Sequence, residues 1–391
     1  MRMSDAPFAP VILGNEPGSF PHSVLAERHP AIIRQVREAF PYAPARHRAL
    51  DGLLDSCAKG VIEPLSPDAH DRDRWAAWGL TEYTGRSWYD VPWLWSESYF
   101  YRQLLDAVGY FTPGPWQGID PFRPSKLAEL ATSETDAELT ALDDLPTENA
   151  GQALLHGSLW GNRADLGFRL SDTTAGTAQA APGLVADDSD TLWSLLPPSG
   201  AGVLHLIADN AARELIPDLL LIAHLLDSGR VRRAILHVKP YPYYVSDATM
   251  ADVLDALRRL NQARGAASSY GRTLWSAMTD GRLTVRAHPF FCAPLPYAEM
   301  PGDLREQLAE ATLTVVKGDL NYRRLVGDRR WPPTTPFAEV TAHFPGPVAA
   351  LRTLKSDVIT GLDAETETAL VAAEGQRWRT GGTHALVQVR A

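Results

Sequence analysis

The sequence predicts an α/β protein, with a helical N-terminal region packed on a three-layer αβα core around a mostly parallel sheet. Three observations carry this. From Gly202 onward, short apolar runs rich in branched residues alternate with segments whose apolar residues recur at helical spacing, the pattern of parallel strands joined by crossover helices. The runs themselves, such as Val203-Leu204-His205-Leu206-Ile207-Ala208, are nearly continuously apolar, as strands covered on both faces must be. Before about residue 131 the spacing is helical and the composition aromatic.

Taken in order, Leu25 to Phe40 and Arg46 to Lys59 carry apolar residues at helical spacing. The stretch from Ser87 to Arg102 crowds tryptophans and tyrosines around Glu97 and Arg102, which reads as a helix buried on more than one face, with the two charges as an internal ion pair or a wall of the site. Asp120 to Lys126 is a Pro-punctuated turn, and Thr132 to Asn149 a solvated helix and loop at a boundary between lobes, giving units 1–150 and 151–391. Ser171 to Asp190, rich in Thr, Ala, Gly and Asp, reads as an exposed insertion. Strands are expected at Val203–Ala208, Ala234–Val238, Leu283–Ala287, Thr312–Val316, Val348–Leu351 and Ala385–Val389. Helices are expected at Ala211–Asp227, Met250–Asn261, Gly302–Glu310 and from about Tyr322.

Composition sets limits. A net charge of −10 argues against a general nucleic-acid or anionic-membrane binder, though not against a local phosphate pocket. Two cysteines, Cys57 and Cys292, cannot build a zinc cluster and suit a reducing cytosol. The first twenty residues lack a signal-peptide pattern, and no apolar run reaches membrane-spanning length, so a cytoplasmic location is expected. No P-loop, dinucleotide fingerprint, HExxH or nucleophile elbow is present.

The informative pattern is that most expected strands end on polar residues. The first ends on Asp209-Asn210, and the segment after the second ends on Asp247. The fourth runs into Lys317-Gly318-Asp319-Leu320-Asn321-Tyr322-Arg323, and the fifth into Arg352-Thr353-Leu354-Lys355. Parallel strands would bring all four ends to one rim, where ligands of open α/β sheets bind. Asp209, Asn210 and Asp247 offer hard oxygen ligands for a divalent cation, and Lys355, Arg323 and the Gly318 backbone offer cations and N–H groups for a phosphate. Taken one at a time, each has an ordinary role as helix cap, tight turn or surface cation. Taken together they fit phosphoryl transfer.

These segments together resemble the metal-dependent damage-control phosphatase family, once catalogued as a domain of unknown function. The match is to the subfamily III members named for an Arg-Thr-x-Lys motif, here Arg352-Thr353-Leu354-Lys355. IADN at 207–210, VSD at 245–247 and KGDLNYR at 317–323 match its other signatures in order. SLWGNRADL at 158–166, PWLWSESYFYR at 92–102 and DPFRPSK at 120–126 extend the likeness over nearly the whole chain. The resemblance implies a single Mn²⁺, Co²⁺, Ni²⁺ or Mg²⁺ on Asp209, Asn210 and Asp247. It implies a catalytic set of these three with Asp319 and Lys355. It implies substrate contacts from Asn162, Glu214, Asp319, Asn321, Tyr322, Arg323 and Lys355. The expected activity is metal-dependent hydrolysis of a small sugar phosphate such as fructose 1-phosphate.

Two alternatives stand beside it. A related branch is described as an S-adenosylmethionine-dependent protein carboxyl methyltransferase, with Glu214 and Asp247 at the positions tied to that cofactor. The other is a binding protein or pathway enzyme that kept the fold with changed chemistry. One departure leaves the second open. Where the family has Asp-Asn-Ala-Gly, this chain has Asp209-Asn210-Ala211-Ala212, which narrows the expected pocket floor.

Overall fold

A computed structural model describes residues 9–161 and 183–391. The N-terminal helices include α1 (His29–Ala39), α2 (Pro44–Lys59) and α3 (Trp93–Val108). α4 (Ala150–Trp160) leads into the sheet. Then follow β1 (Leu184–Asp187), β2 (Gly202–Ile207), α5 (Leu215–Asp227), β3 (Val231–Val238), α6 (Met250–Gln262) and α7 (Gly265–Thr279). The chain continues through β4 (Leu283–Ala287), α8 (Gly302–Ala309), β5 (Leu313–Lys317), α9 (Gly318–Val326), β6 (Val348–Thr353) and β7 (Ala385–Arg390).

The seven strands form one sheet in the order β1-β7-β6-β5-β2-β3-β4. The five strands from β6 to β4 are mutually parallel, whereas β7 pairs antiparallel to β6, and β1 parallel to β7. The sheet is therefore mostly parallel, and the carboxyl ends of β2, β3, β5 and β6 lie on one rim. Successive side chains of a strand face opposite ways. Leu204 and Leu206 accordingly pack under α4, α5, α6 and α7, while Ile207 joins Val316, Val348 and Ala350 under α8 and α9. The result is the expected αβα sandwich. A third apolar cluster holds α1, α2 and α3 together and takes in Tyr243, Tyr244, Cys292 and Leu320 from the rim.

The differences from the sequence reading have physical reasons. β6 runs two residues past the expected end, because Arg352 and Thr353 pair with Leu386 and Ala385 of β7. α9 begins at Gly318 rather than near Tyr322. α7 was not expected, since the face it buries is built from Ala267, Gly271, Leu274 and Ala277, too small to give an apolar stripe. Of the expected insertion, residues 171–182 lie outside the described ones. Its remainder is not an exposed loop but forms β1 and opens the helix Ser189–Leu195, because Leu184-Val185-Ala186 gains a partner in β7. Glu97 and Arg102 do not pair with each other. Five residues apart on α3 they face different directions, and Arg102 meets Asp71 at 2.7 Å while Glu97 meets Arg323 at 3.1 Å. Cys57 and Cys292 are buried and free. No helix among the described residues is long and apolar enough to cross a membrane.

α1 opens on His29, whose ring lies flat on Phe100 with centroids 3.7 Å apart and is fully buried. Neither ring nitrogen has a hydrogen-bond partner among the described residues. Burial, with a smaller push from Arg28, lowers its pKa from 6.5 to about 3. The unfolded chain therefore binds a proton here that the folded chain refuses. The stability of the neutral ring is complete above the unfolded value and is lost as pH falls from 6.5 toward 3. At pH 5 that loss is about 2 kcal/mol, from ~1.4 kcal/mol per pH unit. In His29→Phe, the drop in urea-unfolding free energy between pH 7 and pH 5 is predicted to shrink by about this amount. An unchanged drop would contradict the assignment.

Candidate functional site

The rim is built where β2 and the segment after β3 run side by side. The Ala248 amide donates to the Asp209 carbonyl at 2.9 Å and the Ala211 amide to the Ser246 carbonyl at 2.6 Å. Asn210 thus lies in an antiparallel bridge opposite Asp247. The Ser246 hydroxyl donates to Asn210 Oδ1 at 2.6 Å, and Asn210 Nδ2 donates to Glu214 Oε2 at 2.8 Å. β2 and β5 are clasped by Asn321, whose Nδ2 donates to the carbonyls of Ala208 at 3.0 Å and Lys317 at 2.9 Å. Gly318 has φ +83°, and a Cβ there would fall inside the Asp209 carboxylate. Only glycine lets the start of α9 pass beneath that group.

Asp209, Asn210 and Asp247 are therefore brought together. Burial first, then repulsion from Asp247 and Glu214, holds the Asp209 carboxyl well above the usual carboxylate range. Burial also raises Asp247, against the pull of Lys239 and Lys126. Asp247 Oδ2 is buried and accepts no hydrogen bond among the described residues, with Lys239 Nζ 3.4 Å away. Among the described residues no three His, Cys, Asp or Glu side chains converge as a metal cluster. The donor set here is instead two carboxylates and an amide oxygen. Two crowded carboxylates, Asp209 half-buried and Asp247 buried with an oxygen that, among the described residues, only Lys239 approaches, fit a hard divalent cation, which relieves both the repulsion and the desolvation.

The cavity beside them has a volume of about 220 Å³ and is lined by Ser158, Asp209, Asn210, Glu214, Gly318 and Lys355, among others. Lys355 is half exposed, with Nζ 3.9 Å from Glu214 Oε1. Its turn is folded around Arg352, which is fully buried. Arg352 Nε and Nη2 both donate to Asp319 Oδ1, at 2.8 and 2.7 Å, and Nη2 also donates to Ser356 at 3.0 Å, while Nη1 bonds the Val358 carbonyl. Asp319 Oδ1 further accepts the Lys355 amide and the Ser356 hydroxyl. Burial alone would raise the Asp319 carboxyl, but Arg352 and Arg323 hold it below its ordinary range. Asp319 is thus the anchor of the turn that presents Lys355.

Other expected residues sit elsewhere. Arg323 was expected at a phosphate, but its guanidinium is buried against Asp328 at 2.7 Å and Glu97 at 3.1 Å, and stacks 3.5 Å over Trp93. The Tyr322 hydroxyl turns to Thr360 and Gln388 at 3.1 and 3.0 Å, beneath β7. Asn321 acts through the backbone clasp. Asn162 lies outside the described residues. Three lysines escaped the sequence reading. Lys239 pairs with Asp247. Lys126 donates to the Asp247 carbonyl at 3.0 Å and to Asp120 and Asp252. Lys317 lines the cavity, paired with Asp218 at 3.0 Å and bonded to Ser158. The available signal was that Lys239 and Lys317 stand at the ends of buried strands.

Comparison with known proteins supplies independent findings. The family model described as the damage-control phosphatase ARMT1-like domain matches residues 24–371. The protein named damage-control phosphatase ARMT1 from Danio rerio is 33% identical over 334 residues, 77% of this chain and 74% of its own. Its Bos taurus counterpart is 31% identical, over 84% and 82%. A crystal structure of a DUF89 family protein from Pyrococcus horikoshii superposes with a TM-score of 0.48 at 16% identity, covering 84% of this chain and 90% of that one.

The Gly318 geometry yields a test. Gly318→Ala should push the Asp209 carboxylate from its place and weaken Mn²⁺ binding at least about tenfold by calorimetry, with a stability loss on the order of 1–2 kcal/mol from the left-handed backbone. Unchanged Mn²⁺ affinity would show that Asp209 does not need its present position.

Proposed function

The chain belongs to the damage-control phosphatase ARMT1-like domain family, and on that premise we propose that it is a metal-dependent phosphatase of a small sugar phosphate or related phosphometabolite, with a fructose 1-phosphate-like ester as the type. The family supports metal-dependent phosphatase chemistry on damaged metabolites. The observation that supports the finer reading is the Asn210–Asp247 bridge at the strand end carrying Asp209, with Asp209, Asn210 and Lys355 lining one cavity.

In this reading Asp209, Asn210 and Asp247 hold one divalent cation of the Mn²⁺, Co²⁺, Ni²⁺ or Mg²⁺ class. When bound, it supplies Lewis-acid stabilisation of charge building on the phosphoryl oxygens. Lys239 and Lys126 keep the Asp247 side of the site close to neutral without filling it, because Lys126 is spent on Asp120 and Asp252. Lys355 swings from Glu214 to the phosphate, a short move for a half-exposed side chain on a turn fixed by Arg352 and Asp319. Its cation then meets the dianion as a charge-assisted donor. Glu214, already bonded to Asn210, faces the same cavity and is placed to meet substrate hydroxyls.

The test is phosphate release from a panel of phosphate esters with Mn²⁺, Co²⁺, Ni²⁺ and Mg²⁺. Asp209→Ala and Asp247→Asn are expected to lose activity by about a hundredfold or more, and Lys355→Met by ~10–100-fold, in line with the loss of one charge-assisted contact. Full activity in both aspartate variants would refute the ligand assignment. No turnover of any ester with any metal would refute the phosphatase reading.

A further inference from the structure

Of the three candidate cation ligands, Asn210 alone has two unlike ends. Its side chain carries an oxygen that accepts and an NH₂ group that only donates. A cation needs the oxygen, so this ligand works in one of its two amide orientations and not in the other. Three contacts bear on which one the chain adopts. Nδ2 lies 2.8 Å from Glu214 Oε2 and 3.3 Å from Asp209 Oδ2, while Oδ1 lies 2.6 Å from the Ser246 hydroxyl. An ionised carboxylate only accepts, so the flipped amide would set its oxygen 2.8 Å from the Glu214 oxygen with no proton between them. A hydroxyl turns to suit either end of an amide. Glu214 therefore selects the orientation, and Ser246 holds the oxygen once it is there.

Both partners are fixed by the fold. The Ser246 carbonyl accepts the Ala211 amide at 2.6 Å, in the same pair of segments that sets Asn210 opposite Asp247. Glu214 ends the short helical turn Ala212–Glu214 that leads into α5. Its side chain runs against Gly161 at the end of α4, where a Cβ would come within 2.9 Å of Glu214 Cγ.

We propose that Glu214 and Ser246 are positioning residues for Asn210, which fix its amide with the oxygen on the side of the Ser246-Asp247 segment, for a cation to use. The same contacts account for an amide rather than a third acid at this position. A carboxylate at 210 would meet like charge 2.8 Å away at Glu214 and 3.3 Å away at Asp209. The two oxygens of Glu214 also divide their work. Lys355 Nζ is 3.9 Å from Oε1 and can leave for a phosphate while Oε2 stays on Asn210. That a cation is what the oxygen meets rests on the metal-dependent phosphatase reading; the orientation itself does not.

The first measurement needs no metal. Urea unfolding of the full chain in a chelator is compared for the wild type, Asn210→Asp, Glu214→Gln and the double variant. Asn210→Asp is expected to lower the folding equilibrium constant about tenfold or more, by setting two carboxylates face to face. Adding Glu214→Gln should restore it, because the glutamine NH₂ then donates to the new carboxylate. No loss in Asn210→Asp, or a double variant no better than Asn210→Asp, would overturn the role of Glu214. The second measurement is Mn²⁺ affinity by calorimetry. Ser246→Ala is expected to weaken it about tenfold, as removing a group that orients a metal ligand does, and Ser246→Thr, which keeps the hydroxyl, to stay within about threefold of the wild type. Undiminished affinity in Ser246→Ala, or an equal loss in Ser246→Thr, would overturn the role of Ser246. A wild-type chain that binds no Mn²⁺ would overturn the cation's part together with the metal-dependent reading, and the urea comparison would still decide the orientation.

Discussion

The structure turns on the approach of two carboxylates, the half-buried Asp209 and the buried Asp247, whose chain segments the backbone holds side by side. The strand end carrying Asp209 and the segment carrying Asp247 share hydrogen bonds at Asn210, so neither acid can retreat without breaking the bridge. Burial first, then repulsion from Asp247 and Glu214, raises Asp209, while Asp247 is raised chiefly by burial. Lys239 offsets part of this from one side.

The surrounding residues make sense as supports for that arrangement. Asn321 ties β2 to β5, Gly318 clears the space under Asp209, and Arg352 with Asp319 shapes the turn that carries Lys355. Arg323, Glu97 and Asp328 lock α9 to the N-terminal helix α3, which makes the helical region part of the rim rather than an appendage. Ala212 is a point of strain. It adopts φ +54°, a conformation that costs an alanine about 1–2 kcal/mol and glycine little.

Much of this was legible in the chain. Continuous apolar runs that stop on Asp209-Asn210 or Lys317-Gly318 mark both the strand and its functional end, because a buried strand can place polar groups only where it leaves the core. The parallel order then follows from the alternation with helices. What stayed hidden depends on partners far apart in sequence. Arg323 looks like a free phosphate ligand until Glu97, more than two hundred positions earlier, is folded against it. Arg352 looks like a surface cation until the carbonyls of its own turn close around it. Lys239 and Lys317 look like ordinary strand-end lysines, because nothing local announces that an aspartate will be buried beside each. β1 and α7 were missed for a simpler reason: one is four residues long and the other buries mainly small side chains.

The most direct test is the anomalous scattering of crystals grown with Mn²⁺. The account predicts one ion bound by a carboxylate oxygen of Asp209, the side-chain oxygen of Asn210 and a carboxylate oxygen of Asp247, each at about 2.0–2.4 Å, the range for hard divalent cations with oxygen ligands. An ion held elsewhere, or none with both carboxylates in place, would contradict it.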